Sequence, residues 1–402
     1  MQDPLFFALA LHRLPDVGAV TYSRLLEFFG TAQSALTQPL SQLETLLKPT
    51  TLSAVKDFQR DYQQSPIGRK VQDDLAWLNS QPNTQVLTPE DSCYPSLLRE
   101  ISKPSPLLFV RGDADCLSLP QIAIVGSRNP SGGGLENAHR FSEYLASNGF
   151  AITSGLALGV DAAAHEGALA AGGKTVAVMG TGINMIYPAR HRDLAQRILD
   201  GGGALVSEFP LGTGAQAANF PQRNRIISGL SCGVLVVEAA LKSGSLITAN
   251  TALQQDREVF AIPGSIHNPL ARGCHQLIRQ GATLVETAND IVEQLHGMLS
   301  YQQQELVALR EDGKRASVRN TSIKTATPKT DTRCSEKGQL SLEMETLSPI
   351  EQQLMAAVGF DPVTIDELVE RTGSNVGALM AQLVGLEIKG FLQQLGAAYQ
   401  RV

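Results

Sequence analysis

Several components are scarce in this sequence of 402 residues, and each scarcity argues against a class of protein. The five cysteines are scattered and form no C-x-x-C pair, which argues against a disulfide framework and against a zinc site. No apolar run approaches the ~18 residues of a membrane-spanning helix. The first residues also lack a basic segment followed by a long apolar core. We therefore expect a cytoplasmic protein that has no membrane attachment and binds no metal.

An excess of positive charge is also missing, because 33 basic side chains face 39 acidic ones and the net charge is −6. A polyanionic ligand would have to be held by a local cationic patch, since no global positive field exists. Aromatic residues make up only 5% of the chain, which argues against binding dominated by base stacking. Hydrophobic residues reach 43%, which is enough for a sizeable core.

The first segment, residues 1–65, has apolar residues at three- and four-residue steps and almost no strand signal, which predicts a helical domain. Residues 14–18 resemble the turn of helix-hairpin-helix and SAM-like modules. Such a turn can present backbone N–H groups to a phosphate. The alternative is a turn that only joins two packed helices.

The second segment, residues 66–298, alternates short apolar runs with helical stretches, which predicts an α/β domain with a mainly parallel sheet. Several of the runs are continuously apolar, as in strands buried on both faces. The predicted strands are 107–110, 122–125, 151–153, 175–179, 204–206, 234–237, 259–262 and 283–285.

The remaining chain divides into a flexible linker, 299–345, and a small compact domain, 346–402. The linker is rich in polar and charged residues of both signs. The last domain shows helix, helix, turn, helix and hairpin, which is the order of a winged helix. Its third predicted helix offers only Lys389 to a DNA backbone, so a contact with protein or a structural role is favoured over major-groove binding.

The predicted strand 122–125 ends in Gly126, Ser127 and Arg128, and a run of glycines then leads into a helix. Small residues let a ligand approach the backbone, and the planar arginine fork suits a phosphate. Neither G-x-G-x-x-G nor G-x-x-x-x-G-K-[ST] is present at this turn. The turn predicts a phosphate site, and the alternative is a tight strand-to-helix turn with a surface arginine.

A second turn contains Gly155 and is followed on a predicted helix by Asp161 and His165. The two side chains lie one helical turn apart, a spacing compatible with a metal or with acid–base chemistry. No third ligand or nucleophile is near in the sequence, so a helix cap beside a packed histidine is favoured.

A third glycine turn, at residues 180–182, precedes Arg190, Arg192 and Arg197 on a predicted helix. Two aspartates, Asp193 and Asp200, offset their charge. We interpret this stretch as a solvated helix face.

A fourth motif places Asn219, Phe220, Arg223, Asn224 and Arg225 around a helix start. Residues at i and i+2 do not share a helix face, so only one of the two arginines is expected to point into a site. The phenyl ring is able to stack on a base.

A fifth motif, Lys242 followed by Ser243, Gly244 and Ser245, opens a helix after a buried strand. Hydroxyls, free N–H groups and one ammonium meet there at the positive end of the helix, which predicts an anion site. The alternative is a capped helix beside an unrelated lysine.

The five motifs predict a binding site more strongly together than singly. Most of them follow strands of one parallel sheet, and loops at the carboxyl ends of such strands meet at one edge. We expect Arg128, one of the two arginines of the fourth motif, and Lys242 to surround one pocket. The arrangement suits a run of phosphates bound largely without regard to base sequence.

In this order the motifs resemble those of bacterial DNA-processing protein A, the DprA/Smf family. The resemblance covers the predicted α/β domain, about half of the chain, and residues 273–275 and 281–282 also fit. The terminal domains are similar to domains of that family, with weaker motifs.

The resemblance implies an extended Rossmann-like fold and a non-catalytic homodimer without a cofactor. It further implies a protein that protects incoming single-stranded DNA and loads RecA onto it during natural transformation and recombination. A segment from His275 to Leu284 resembles the part used for self-association. The DNA-binding residues carried over are Gly126, Ser127, Arg128, Gly155, Asn219, Phe220, Arg223, Asn224, Arg225, Lys242, Ser243, Gly244 and Ser245.

Two enzyme classes on related folds are the alternatives. The nucleotide phosphoribohydrolases carry a P-G-G-x-G-T-x-x-E loop with a catalytic acid, and that position falls on Thr248 here. A dinucleotide-dependent oxidoreductase would need the fingerprint that is missing after residue 125. The sequence therefore favours a binding protein over an enzyme.

Overall fold

The computed structural model describes residues 3–295, 348–359, 362–389, 391–395 and 398–401. The chain separates into two units, Met1–Ala288 and Asn289–Val402, and each is described by itself. The predicted linker, 299–345, lies outside the described residues. In the part of the chain that is described, no helix is both long and apolar enough to cross a membrane.

The amino-terminal part is helical, as predicted, but it continues past the expected boundary at residue 65. Its last helix packs against the first and fifth helices, and the buried Asp74 pairs with Arg13 near the end of the first. The predicted turn at 14–18 joins the first two helices, and Thr51 Oγ1 donates to the Pro15 carbonyl, 2.8 Å away. The helices are α1 (Pro4–His12), α2 (Ala19–Phe29), α3 (Ala32–Thr37), α4 (Leu40–Leu43), α5 (Pro49–Arg60) and α6 (Pro66–Ser80).

The first unit also contains a sheet of nine described strands in the order β1-β2-β6-β5-β4-β3-β7-β8-β9. The strands from β6 to β9 in this order pair in parallel, whereas β1 and β2 add an antiparallel edge. Each predicted strand is present with small shifts at its ends, and β1 was not predicted. The strands are β1 (Thr84–Leu87), β2 (Leu108–Gly112), β3 (Gln121–Val125), β4 (Ala151–Ser154), β5 (Thr175–Val178), β6 (Ala204–Ser207), β7 (Gly233–Val236), β8 (Glu258–Ala261) and β9 (Thr283–Leu284).

Helices connect the parallel strands, and two short 3-10 helices, Ala114–Ser118 and Ala189–His191, precede β3 and α10. This alternation is the arrangement predicted for an α/β domain with a mainly parallel sheet. The helices are α7 (Ser96–Glu100), α8 (Gly132–Ser147), α9 (Val160–Ala170), α10 (Arg192–Asp200), α11 (Asn219–Leu230), α12 (Gly244–Gln254), α13 (Arg272–Arg279) and the described part of α14, residues 288–295.

The sheet is buried on both faces, because neighbouring residues of its strands enter different apolar clusters. Phe109 of β2 and Ala177 of β5 pack in the cluster that also contains the amino-terminal helices. Val110 and Val176, one position away in each strand, pack with α11 and α12 instead. Side chains alternate across a strand, so a strand between two helical layers needs apolar residues at every position.

The topology of the sheet reverses between β3 and β7. From β3 the chain proceeds outward through β4, β5 and β6, and it then crosses back to place β7 on the other side of β3. At such a switch point the loops after the two strands diverge, and a crevice opens at the carboxyl ends. The sequence motifs at residues 126–128 and 242–245 follow these two strands.

The second unit has the element order of a winged helix. Thr364 forms a capping box with Glu367 at the start of α16, and Asn375 caps α17. Lys389 follows α17 and pairs with Glu351, with Nζ and Oε1 2.6 Å apart. The elements are α15 (Pro349–Val358), β10 (Val363–Thr364), α16 (Ile365–Thr372), α17 (Val376–Ile388), β11 (Leu392–Leu395) and β12 (Ala398–Arg401).

Candidate nucleic-acid interface

A cleft of about 650 Å³ lies at the switch point of the sheet, between the loops that follow β3 and β7 and the first turns of α11 and α12. Four of the five sequence motifs contribute to its lining, so the predicted convergence at the carboxyl ends of the strands is present in the structure. The predicted residues that line the cleft are Gly126, Ser127, Arg128, Phe220, Arg223, Asn224, Lys242, Ser243, Gly244 and Ser245.

Two exposed cations lie in this cleft. The Arg128 guanidinium sits over the Phe220 ring, 5.6 Å from its centroid, and Lys242 lies just before α12. Both side chains are exposed, and neither has an ion-pair or hydrogen-bond partner among the residues that the structure describes. An exposed cation without a protein partner is able to contact an anionic ligand, so the two are placed to act on one ligand together.

Arg223 forms part of the buried wall of the cleft, because its side chain is only 4% exposed. Its Nη2 donates to the Gly155 carbonyl over 3.1 Å, and its Nε has no partner among the described residues. Burial lowers the pKa of Arg223 to about 10, although the charge of Asp161 acts to raise it. A Cβ at Gly155 would lie 1.6 Å from Nη1, so the arginine requires glycine at this position.

Asp161 holds the loop after β4 in place. Asp161 accepts from the backbone N–H of Gly155, 3.1 Å away, and from that of Ala157, 3.3 Å away. Burial raises the pKa of this carboxyl, whereas Arg223 and the two N–H groups lower it.

His165 is completely buried, with Nδ1 2.6 Å from Thr175 Oγ1. Burial lowers the pKa of its imidazole to about 3, so the ring is neutral near pH 7. Within the described residues, no group of three or more His, Cys, Asp or Glu side chains is placed to hold a metal ion. The two residues of the second motif therefore act as a backbone clamp and a packed ring.

The amino terminus of α12 opens into the cleft. Ser243 caps the helix by accepting from the Ser245 N–H over 3.2 Å, and the two hydroxyls also share a hydrogen bond. A Cβ at Gly244 would meet no heavy atom within 4 Å, so this turn faces open space. Asn224 Nδ2 lies 3.5 Å from the Gly244 carbonyl and supports the turn from α11. The positive helix end and Lys242 together form an anion site.

The amino terminus of α8 is different, because a carboxylate of the protein already fills it. Glu238, which is 7% exposed, accepts from the Ser131 N–H over 2.9 Å and from the Ser131 hydroxyl over 2.6 Å. Asn268 Nδ2 donates to the same carboxylate over 3.1 Å. A carboxylate of the protein therefore occupies this helix start, and the first motif contributes only its loop, with Arg128, to the cleft.

Three predicted residues do not line the cleft, and one of them is Gly155, which contacts Arg223 in the cleft wall. Asn219 is buried and donates from Nδ2 to the Gly180 carbonyl over 3.2 Å. Arg225 pairs with the buried Glu208 and donates to the Lys103 carbonyl over 2.6 Å. Residues 219–225 therefore do not all line the cleft, and only one of the two arginines enters it, because a two-residue step on a helix turns the second arginine away from the first.

The predicted self-association segment lies away from the cleft, on α13 and β9. Its end, Leu284, is on the last described strand at that edge of the sheet and is 45% exposed. His275 Nε2 lies 3.0 Å from the Gly264 carbonyl oxygen, which fixes the histidine ring within its own chain.

Comparison with protein families gives three matches along the chain. The model described as DNA recombination-mediator protein A matches residues 85–296, which include every side chain of the cleft. A DprA-like N-terminal HHH domain matches residues 2–40, and a DprA winged helix domain matches residues 342–397. The three matches follow the order of the observed domains.

Individual proteins show similarity over most of the chain. Protein Smf of Escherichia coli is 40% identical over 83% of this chain and 81% of its own. Protein Smf of a Synechocystis species is 36% identical over 98% of each chain. The X-ray structure of DNA processing protein A from Streptococcus pneumoniae is 34% identical, with a TM-score of 0.60 over 73% of this chain and 98% of that one.

Proposed function

This chain belongs to the DNA recombination-mediator protein A (DprA/Smf) family, and on that premise we propose that it binds single-stranded DNA in the switch-point cleft. One observation carries the proposal. Arg128 and Lys242 are exposed cations without described partners, and they share a cleft with the open amino terminus of α12. Guanidinium, ammonium and helix N–H groups are the groups that bind phosphate in proteins.

The same geometry favours an unpaired strand. Phe220 lines the cleft beside Arg128, and a base can reach an aromatic ring there only when it is not stacked inside a duplex. The contacts to phosphate do not depend on base identity. We therefore expect single-stranded DNA to bind more tightly than duplex of the same length, with little dependence on sequence.

Binding without chemistry is part of the proposal. Among the described residues that line the cleft, the one carboxylate is Asp161, and backbone N–H groups already bond to it. Thr248, at the position of the hydrolase acid, is buried and carries no proton-transferring carboxylate. Release of free base from a nucleoside monophosphate by the purified protein would contradict this part of the proposal.

Fluorescence anisotropy with labelled oligonucleotides tests the cleft directly. If one protomer neutralises about four phosphates, log K falls with log salt at a slope near −3. Raising salt from about 50 to about 200 mM then weakens binding roughly fiftyfold. Arg128→Ala and Lys242→Ala should each weaken binding to every single-stranded sequence, whereas Lys56→Ala on α5 should not. Unchanged affinity in both cleft variants would reject the site.

We further propose that two protomers associate through the segment His275–Leu284, so that two clefts act on one strand with gained avidity. The exposed Leu284 at the sheet edge supports this proposal. Leu284→Glu should shift the protein from dimer to monomer in sedimentation velocity and should weaken binding to long strands more than to short ones. A wild-type protein that sediments as a monomer at all concentrations would contradict it.

Finally, we propose that the bound strand is protected and passed to RecA in the cytoplasm during natural transformation and recombination. The family relationship supports this role. The test is RecA-dependent strand exchange on DNA precoated with a single-strand binding protein. The full chain should restore exchange, and the Arg128→Ala variant should not. Equal exchange with and without the protein would contradict the proposed transfer.

A further inference from the structure

A row of exposed side chains lies beside the cleft, in the segment between β5 and α10. We call Tyr187, Arg190 and Arg192 the rim strip. The Tyr187 ring is 52% exposed and lies 5.9 Å from the Phe220 ring, centroid to centroid, at an angle of 46°. Phe220 in turn lies under Arg128. The Arg128 guanidinium, the Phe220 ring and the Tyr187 ring therefore form a continuous series that leads out of the cleft.

The segment that carries the rim strip is held by hydrogen bonds on both sides. Asn184 Oδ1 accepts from the Gly212 N–H over 2.8 Å, before Tyr187. After it, His191 Nδ1 lies 2.8 Å from the Leu156 carbonyl oxygen. Leu156 follows Gly155, whose carbonyl accepts from Arg223 in the wall of the cleft. One loop therefore fixes the rim strip relative to the cleft, and its exposed groups are preorganised for a ligand.

The two arginines of the rim strip are not neutralised by the protein. Arg190 and Arg192 are exposed and have no ion-pair or hydrogen-bond partner among the residues described in the structure. Arg197, further along α10, does have one, because its Nη2 lies 3.0 Å from Glu166 Oε1. Arg190 and Arg192 are thus exposed, as a solvated face requires, but neither Asp193 nor Asp200 pairs with them among the described residues.

We propose that the rim strip is a second subsite for single-stranded DNA, in which a base stacks on Tyr187 and neighbouring phosphates contact Arg190 and Arg192. This inference rests on the proposed function and extends it to the part of the strand that leaves the cleft. An exposed aromatic ring followed within five residues by two unpaired guanidinium groups is a combination that suits an unpaired strand, because rings stack on bases and cations contact the backbone.

The length of the DNA distinguishes the rim strip from the cleft. An oligothymidylate of about four nucleotides fills the cleft alone, and we expect Tyr187→Ala to bind it as tightly as the wild type. On an oligothymidylate of about twelve nucleotides, the same variant should bind about five- to tenfold more weakly, as expected for loss of one stacked base. Tyr144→Ala, which removes an exposed tyrosine from α8, is the matched control.

The arginines are tested through the salt dependence on the longer oligonucleotide. Arg190→Ala combined with Arg192→Ala should reduce the magnitude of the slope of log K against log salt by about 1.4, since each lost phosphate contact on a single strand contributes about 0.7. Arg197→Ala is the matched control, because that arginine is already paired with Glu166. Its slope should equal the wild-type slope.

A spectroscopic measurement reports the stacking itself. The chain has one tryptophan, Trp77 on α6, so Tyr187→Trp adds a single new fluorophore to a background that the wild type provides. The twelve-nucleotide oligothymidylate should quench the added fluorescence, and an abasic oligonucleotide of equal length should not. Equal quenching by both would show that no base stacks at this position.

The outcomes separate this inference from the proposed function. If the rim-strip variants bind the longer oligonucleotide like the wild type, or lose equal affinity for both lengths, the second subsite is rejected while the cleft stands. If Arg128→Ala and Lys242→Ala both retain full affinity as well, the proposed function itself fails. Weakening confined to the longer oligonucleotide, together with base-dependent quenching, supports the second subsite.

Discussion

Two helix ends at the same switch point differ in what they contact. Both α8 and α12 begin after a buried strand and a turn rich in glycine and serine, and each is capped by a serine, Ser131 or Ser243. At α8 the carboxylate of Glu238 bonds to the cap and to its N–H. At α12 the space beside Gly244 is open, and an exposed lysine precedes the helix.

Both helix ends are able to hold an anion, and the rest of the chain decides whether a carboxylate of the protein occupies that position. The favourable dipole and unpaired N–H groups are local properties, shared by both turns. The carboxylate that fills one of them comes from 107 residues away in the sequence. The turn at the start of α8 thus holds a carboxylate of the protein, whereas the turn at the start of α12 is open to the cleft.

The most direct way to remove the difference is to place a carboxylate at the open end, with Lys242→Glu. Affinity for single-stranded DNA should fall about thirtyfold or more, the equivalent of about 2 kcal/mol for a lost charge-assisted contact. Stability should instead stay equal or rise by about 0.3–1 kcal/mol, because a negative charge suits a helix start. Anisotropy and chemical denaturation measure the two effects.

The control for this substitution is Lys56→Glu, which makes the same change of charge at an exposed position of α5. It should leave affinity within about twofold of the wild type. A similar loss of affinity in both variants would mean that net charge, and not the open helix end, determines binding.

The reverse change, Glu238→Gln, removes the negative charge from the filled end. We expect the free energy of unfolding to fall by about 2 kcal/mol, since hydrogen bonds to a charged group are replaced by bonds to a neutral one. Denaturation in urea measures the loss, and Glu143→Gln on the exposed face of α8 is the control.

Added sulfate makes this test sharper. Sulfate should raise the stability of a Glu238→Ala variant, which lacks the side chain, more than that of the wild type, because an anion can then bind where the carboxylate was. An equal gain in both proteins would indicate that the end of α8 does not act as an anion site.

Two glycine-to-alanine substitutions compare the space available at the two helix ends, because each adds only a methyl group. They should give the smallest changes in stability. At Gly134 of α8, a Cβ would lie 2.6 Å from the Glu238 carboxylate, so Gly134→Ala should lower stability by about 1–2 kcal/mol. At Gly244 of α12 the space is open, so Gly244→Ala should raise stability by up to about 0.5 kcal/mol. Thermal unfolding of both variants tests the sign of each effect, and two losses of equal size would contradict the comparison.

The sheet could be predicted from the sequence because its parallel strands are short apolar runs, which the burial of both faces demands. Strand β1, with Thr84 and Gln85 at its start, escaped prediction because it lies at the sheet edge and is less buried. The boundary after residue 65 was misplaced because α6 has the apolar spacing of any packed helix. Its packing against the first and fifth helices and the contact of Asp74 with Arg13, which no local pattern reports, assign it to the amino-terminal helices.

The site could be predicted in part. Periodicity on α11 indicates that Arg223 and Arg225 point in different directions, but not which of them enters the cleft. That choice depends on Gly155 and on Glu208, which lie far away in the sequence. The occupation of the α8 terminus by Glu238 is equally a long-range contact, and no local pattern reports it.

The loop after β4 has a consequence for how this surface can change. The Gly155 carbonyl of this loop accepts a hydrogen bond from Arg223. The next carbonyl, that of Leu156, contacts His191 in the segment that carries the rim strip. Main-chain hydrogen bonds therefore set the distance between the wall of the cleft and the rim strip. The exposed side chains of the rim strip can be substituted without changing those hydrogen bonds. Substitutions at these side chains are therefore a way to change which polymeric ligand this surface prefers while the backbone that supports it stays the same.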